Sequence, residues 1–295
     1  MTERATAEPG EGRFACAGLE RHPCYSRSAH MRYGRIHLPV APRCNLDCGY
    51  CERRTGGLTY HVYRPSVASR TLTPPEAVAQ VARNLHAHRL TVAGIAGPGE
   101  PLCNEETFET LRLVGSCFPE LMLCLATNGV LLAERAEELH TLGVTALTVT
   151  LNTVEPALGA RIYSQVDLGG DVCTGSEAAA AVLARQLAGI RSAAAVGITV
   201  KVNSVLIPGV NDDFHLEQVA RTARRLGALV QNITPLIPLG RFREIDPPTC
   251  AELHETRLRC ERHLPQFRHC QQCRADAVGI PGARSWSAAS VQCAV

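Results

Sequence analysis

From Gly34 onward, short apolar and β-branched runs alternate with stretches whose apolar residues recur every three to four positions, the patterns of buried strands and amphipathic helices. Strands are predicted at Gly34–Val40, Thr91–Ile95, Leu121–Ala126, Leu147–Leu151, Ile198–Leu206 and Leu229–Thr234. Helical patterns lie between them, near residues 105–114, 132–142, 176–196 and 216–226. The first helix opens with Thr73-Pro74-Pro75-Glu76, where Thr73 caps, Pro74 suits the first helical position and Glu76 completes a capping box. Thr249 and Glu252 repeat that box, and periodicity fades beyond about residue 264.

Strands separated by helices imply right-handed crossovers and a parallel sheet, here of six units, either doubly wound or curled into a partial barrel. In both arrangements ligands sit beyond the carboxyl ends of the strands. The chemically unusual residues fall there: Cys44, Cys48 and Cys51 after the first strand, Gly97-Pro98-Gly99-Glu100 after the second, Thr127-Asn128-Gly129 after the third and Asn152 after the fourth.

Composition narrows the class. With 295 residues, 45% of them apolar and 20% charged, the chain can bury a sizeable core as one large domain or two small ones. Its 30 basic and 28 acidic residues give no electrostatic case for a nucleic-acid partner. The longest apolar run, Ala178–Ala184, is far short of the roughly 20 residues of a membrane span. The first 20 residues hold no signal-peptide block, so a cytoplasmic protein without a membrane partner is expected.

Cysteine is in excess, at 14 of 295 residues. In the reducing compartment expected here, such an excess points to metal or iron–sulfur ligation, or to small apolar residues packed in a core. The spacing Cys44-x3-Cys48-x2-Cys51 would arise by chance about 0.03 times in a chain of this composition. Three thiolates on one loop can hold three irons of a [4Fe-4S] cube and leave the fourth open, whereas structural zinc wants four closed ligands. Three buried structural cysteines would sit poorly beside Asn45, Asp47 and Gly49.

These cysteines, with Tyr50 before the third, resemble the cluster motif of the radical S-adenosylmethionine (SAM) superfamily, and Gly97-Pro98-Gly99-Glu100 resembles its glycine–glutamate loop. The resemblance implies an α/β fold, a partial (β/α)6 TIM-type barrel with N- and C-terminal extensions. Residues 1–30 would form an arm with a cluster ligand, 31–240 the barrel, and 241–295 a helix and cysteine-bearing tail. It also implies that Cys44, Cys48 and Cys51 hold the catalytic cluster, that SAM chelates the open iron, and that reductive cleavage gives methionine and a 5'-deoxyadenosyl radical. Gly97, Gly99, Glu100, Asn128, Asn152 and Asn203 are the candidates for contacting SAM. Glycines admit close backbone approach, Glu100 can accept from an ammonium and the asparagines can bind ribose or carboxylate. Asn152 and Asn203 read equally as strand-end turn residues.

A closer resemblance spans about residues 20–280. His22-Pro23-Cys24-Tyr25-Ser26, His37-Leu38-Pro39-Val40-Ala41-Pro42, Gly94-Ile95-Ala96-Gly97-Pro98-Gly99, Thr127-Asn128-Gly129, Lys201-Val202-Asn203-Ser204-Val205 and the segment from Cys270 through Cys273 to Gly279 are similar to the NifB family. Those are the radical SAM enzymes of nitrogenase cofactor biosynthesis. The resemblance implies that two further [4Fe-4S] substrate clusters are fused into an eight-iron, carbide-centred precursor. One SAM would supply a methyl group to a cluster sulfide and a second the radical that abstracts hydrogen from it. Partners implied are cluster-donor and cluster-acceptor proteins of nitrogenase assembly and an electron donor such as a ferredoxin. Cys24, His37 and Cys124 match the positions holding one substrate cluster, and Cys270 and Cys273 match two ligands of the other. Taken alone, Cys124 reads as a buried thiol, His37 as an ordinary hydrogen-bonded histidine, and a CxxC pair would occur by chance about 0.7 times. Cys16, Cys117, Cys173, Cys250, Cys260 and Cys293 receive no role.

One position departs from the family pattern: Gly57 stands where a further cysteine is expected, six residues after Cys51, and Leu58–Tyr63 is longer by about two residues. The third ligand of the second substrate cluster is therefore open. Cys103, at the mouth of the second strand-to-helix loop, and His61, on the lengthened loop, compete for it against a helix-start cysteine of no consequence. An accessory C-terminal domain frequent in the family is not expected within this chain. Alternatives are another radical SAM maturase, or a non-catalytic iron–sulfur or zinc carrier derived from the family.

Overall fold

The computed structural model describes residues 18–57 and 59–283. Six parallel strands follow one another across one sheet: β1 (Gly34–His37), β2 (Leu90–Ile95), β3 (Met122–Thr127), β4 (Val144–Thr150), β5 (Thr199–Leu206) and β6 (Val230–Pro235). A seventh, β7 (Val278–Gly279), pairs antiparallel with β1, and the order is β6-β5-β4-β3-β2-β1-β7. The sheet is a curled half-barrel whose consecutive order suits a (β/α) barrel rather than a doubly wound sheet, in which the order reverses.

Between the strands run α1 (Pro74–Asn84), α2 (Glu105–Cys117), α3 (Leu132–Thr141), α4 (Gly175–Ala195), α5 (His215–Arg225) and, after β6, α6 (Cys250–Glu261). Both capping boxes form: Glu76 accepts from the Thr73 N–H at 2.8 Å and Glu252 from the Thr249 N–H at 2.7 Å. Each satisfies a donor that a helix start would otherwise leave orphaned. No helix among the described residues is long and apolar enough to cross a membrane.

The main core lies between sheet and helices, where Ile36, Ile95, Leu111, Leu132, Leu147 and Ile190 are almost wholly buried. Burying each such side chain contributes roughly 1.5–3 kcal/mol. A second apolar cluster, including Leu46, Val130, Ile162, Tyr163, Val166 and Phe242, lies under the segment bearing Cys44, Cys48 and Tyr50. That segment is not simply a loop. Leu46–Cys48 forms a strand in a small antiparallel sheet with Tyr163–Asp167 and Val172–Thr174. β1 ends at His37 rather than Val40, because the chain leaves the sheet to run beside the loop after β2, with an isolated bridge between Ala41 and Pro98.

Candidate functional site

Two groups of side chains collect at the open sheet. The first is built around Cys44, Cys48 and Cys51. Gly99 donates its N–H to the Ala41 carbonyl at 2.6 Å, and Glu100 donates its own to the Arg43 carbonyl at 2.8 Å. Asn104 closes the seam, giving Nδ2 to the carbonyls of Arg43 and Glu100 and accepting from the Arg43 N–H. A Cβ on Gly99 would collide with the Arg43 carbonyl, so the close approach of the two loops requires glycine there. Gly97 precedes a cis peptide to Pro98 and holds a φ of +114°.

The three thiols share one field. Burial, with Cys51 and Cys44 next, pushes the Cys48 thiol well above its usual range. Burial and then the Glu100 carboxylate push Cys44 up to about 11. Such thiols stay protonated near neutrality, and a bound metal must displace their protons. Among the described residues no three His, Cys, Asp or Glu side chains converge tightly enough to clasp a single metal ion. The Tyr50 hydroxyl hydrogen-bonds Cys48. Asn152, fully buried, donates to the hydroxyls of Tyr50 at 2.8 Å and Tyr163 at 3.1 Å and accepts from the Val205 N–H.

Glu100 accepts from Thr127 Oγ1 at 2.5 Å, the Asn128 N–H at 2.6 Å and the Leu102 N–H at 3.1 Å. Burial raises its carboxyl to about 7 against those three bonds. A carboxylate offers about four acceptor positions, so about one is left for a ligand cation. Asn128 donates to Asn45 Oδ1 at 2.8 Å, while Asn45 Nδ2 is buried with no hydrogen-bond partner. Asn203 accepts from Asn232 at 2.5 Å, and Asn232 Oδ1 is likewise buried and unpartnered. Cys103 lies against this first group: its thiol meets the Asn45 backbone, and burial followed by Glu100 and Cys44 pushes it up to about 12.

The second group assembles from four parts of the chain. His37, Gly94 and Cys124 lie in register across β1, β2 and β3. His37 Nδ1 is 2.9 Å from the Arg274 carbonyl, which can only accept, so Nδ1 carries the hydrogen and Nε2 keeps its lone pair. Burial, then Arg35, lowers His37 to about 4, so the ring is neutral near pH 7. Cys24 lies within the fields of Cys273 and Cys270, and Cys124 within that of Cys24. Burial pushes Cys124 up to about 12. Arg35 donates from Nη2 to Cys273 Sγ at 2.9 Å.

The loop bearing Gly57 is tied to this tail. The Gly56 N–H donates to the Ser69 carbonyl, the Ser69 N–H to Asp276, and the Ala275 N–H to the Val67 carbonyl. Arg274, 7% exposed, donates to the carbonyls of Thr59 and Val62. A cleft of about 540 Å³ opens beside it, lined by Arg53, Arg54, Thr55, Gly56, Thr59 and Val62.

Elsewhere Cys260 is buried in the core, Cys117 is exposed at the end of α2 and Cys173 is half-buried in the small sheet. Cys16 and Cys293 lie outside the described residues. Sequence reasoning missed Arg35, Asn45, Tyr163, Lys201 and Asn232 as members of these groups. The adjacent amides Gln231 and Asn232 inside an apolar strand were a usable signal, since an unpaired buried amide is costly.

The radical SAM superfamily pattern matches residues 38–223. The chain is 45% identical over 269 residues to the FeMo cofactor biosynthesis protein NifB of Klebsiella pneumoniae, covering 88% of this chain and 57% of that protein. It is 41% identical over 263 residues to the protein of the same name from Methanocaldococcus infernus, covering 89% of this chain and 86% of that one. It thus spans little more than half of the first relative and most of the second. Among solved structures, a radical SAM methyltransferase from Sphaerobacter thermophilus superposes with a TM-score of 0.53 at 22% identity, covering 80% of this chain and 64% of that one.

Proposed function

This chain belongs to the radical SAM superfamily and, within it, to the family of FeMo cofactor biosynthesis proteins NifB, and from that premise we propose that it fuses two [4Fe-4S] substrate clusters and inserts a SAM-derived carbide to make the eight-iron precursor of the nitrogenase cofactor. The observation that supports this reading is that Cys24, His37, Cys124, Cys270 and Cys273 fall into one group.

The residues present fit a resident [4Fe-4S] cluster with SAM. Three thiols on one segment and the unpartnered Asn45 amide near them supply metal ligands and a hydrogen-bond donor, while Gly99 lets the second loop close against the Arg43 carbonyl. Cys44, Cys48 and Cys51 would hold that cluster. When bound and reduced, it and SAM supply the 5'-deoxyadenosyl radical, and SAM also supplies the methyl group. Glu100 keeps Thr127, Asn128 and Leu102 in place and has about one acceptor position for the SAM ammonium. Asn152 holds Tyr50 against Cys48, and Asn203 pairs with Asn232 within β5 and β6 rather than at their ends. His37 is kept neutral, with Nε2 available to a substrate iron. A reducing cytoplasm, a ferredoxin-like electron donor and proteins that deliver and accept clusters complete the setting.

Anaerobic reconstitution with iron, sulfide, SAM and dithionite tests the reading. About 12 irons per chain, with both S-adenosylhomocysteine and 5'-deoxyadenosine formed and a carbon-containing eight-iron cluster isolated, is the expected result. About four irons, with 5'-deoxyadenosine alone, would identify another maturase. Full iron with neither product would identify a carrier.

A further inference from the structure

Two buried cations stand in the second group of ligands without a carboxylate. Lys201, on β5, and Arg35, on β1, are each 4% exposed. Lys201 Nζ donates to the Cys24 carbonyl at 3.0 Å and otherwise faces the rings of Tyr25, at 4.8 Å, and Phe267, at 5.1 Å. Arg35 gives Nη1 to the Gly279 carbonyl at 2.6 Å and Nη2 to Cys273 Sγ, while its Nε is buried with no partner. Neither forms an ion pair among the described residues. The nearby acid, Asp276, is already taken by Arg274 and Ser69.

Charges removed from water are retained where an opposite charge meets them. Here the positive fields of both cations fall on Cys24 and His37, and that of Lys201 also falls on Cys124. The missing negative charge is therefore to be sought at the ligand set itself. We propose that Lys201 and Arg35 are positioning residues for an anionic iron–sulfur substrate, their charges balancing the thiolates of Cys24, Cys124, Cys270 and Cys273 and the cluster those thiolates carry. This rests on the function proposed above. It adds that the two cations set the charge balance and hence the reduction potential of the substrate clusters, while the cube on Cys44, Cys48 and Cys51 is outside their reach.

The test is an EPR-monitored redox titration of the anaerobically reconstituted full chain, with iron counted per chain, for wild type, Lys201→Met and Lys201→Arg, repeated with Arg35→Met and Arg35→Lys. Methionine keeps the length of the lysine stem and removes the charge. In Lys201→Met the reduced-to-oxidised ratio of the substrate-cluster signal at a fixed potential should fall about tenfold, about 59 mV for one electron, because an anion is harder to reduce further without its counter-charge. The SAM-cluster signal should not move, and this also reports that the variant is folded. Lys201→Arg should restore the wild-type ratio. If Lys201→Met fails to load the substrate clusters while keeping the SAM cube, recovery in Lys201→Arg supports the charge role, and continued loss overturns it in favour of a shape role. Fully loaded clusters with an unshifted ratio in both methionine variants would also overturn it. Wild type that binds only about four irons would instead bring down the function on which it rests.

Discussion

Gly94 leaves the space that Cys124 uses: a Cβ built on Gly94 would stand 2.9 Å from Cys124 Sγ and 3.6 Å from Cδ2 of His37. A glycine between two aligned donors on neighbouring strands keeps open the side of the sheet on which they face each other. Gly94→Ala should displace the Cys124 thiol, lower stability by roughly 1–3 kcal/mol through overpacking, and remove about four of about 12 irons. Iron assay and urea unfolding measure both, and unchanged iron would show that Cys124 is not a ligand.

Cys44, Cys48 and Cys51 should all be needed for reductive SAM cleavage, because a cube with one open iron requires three thiolate anchors. Cys48→Ala is expected to abolish 5'-deoxyadenosine. Cys24→Ala should instead lose S-adenosylhomocysteine more than 5'-deoxyadenosine, since methyl transfer needs a substrate cluster. Chromatography of both products after one incubation checks this, and equal losses with the first cube intact would argue against separate roles.

Features encoded locally were legible before the structure. The strand and helix periods, the two capping boxes and the spacing of Cys44, Cys48 and Cys51 each lie within one short stretch; the periods implied six parallel units, and the partial barrel rather than a doubly wound sheet was implied by the family resemblance. The strand Leu46–Cys48 was not legible, because three residues carry no usable period and the pairing partner, Tyr163–Asp167, lies more than 100 residues on. The second ligand group was visible only through family resemblance: Cys24, His37, Cys124 and Cys270 come together by tertiary packing, and no local pattern brings them to one place. Lys201 and Arg35 show the same limit. Their burial follows from register and from the contacts of residues 24–25 and 267–279, and both read as ordinary strand charges in the sequence.

Glu100 gives the apo chain a pH dependence with a definite sign. Burial raises its carboxyl from 4.5 to about 7, so the folded state binds a proton that the unfolded state has released between those values. Its contribution to stability is therefore fully present below about pH 4.5 and lost as the pH rises through about 7, a change on the order of 3 kcal/mol. Glu100→Gln removes this titration. The difference in urea midpoint between wild type and variant should move toward the variant from pH 5 to pH 8; parallel pH profiles would show that the carboxyl is not perturbed.

Arg274 joins the tail to the loop bearing Gly57 through the carbonyls of Thr59 and Val62, Ser69 Oγ and the Asp276 carboxylate. Arg274→Met leaves the Val62 carbonyl without this donor and takes the ion-pair partner from Asp276, which keeps the Ser69 N–H, a loss of roughly 1–3 kcal/mol. Amide hydrogen exchange should rise in residues 59–69 and 273–277 together. Exchange confined to the tail would show that the loop is held by other contacts.

The ligand missing at Gly57 is best sought on the loop that Arg274 holds. Cys103 has its contacts with Asn45, Cys44 and Glu100, beside the first cysteine group, whereas the short helix Thr59–His61 is fastened through Thr59 to the residue that follows Cys273. His61 lies on that helix, and a neutral imidazole can ligate iron in place of a thiolate. His61→Ala should lose about four of about 12 irons and retain the SAM-cluster signal, while Cys103→Ser should keep the full iron content. His61→Cys should restore the loss, because it returns a thiolate to a loop whose position is otherwise unchanged. If Cys103→Ser loses the iron and His61→Ala does not, the compensating cysteine lies on the neighbouring strand-to-helix loop. If both variants load fully, Cys270 and Cys273 hold the second substrate cluster with an external third ligand.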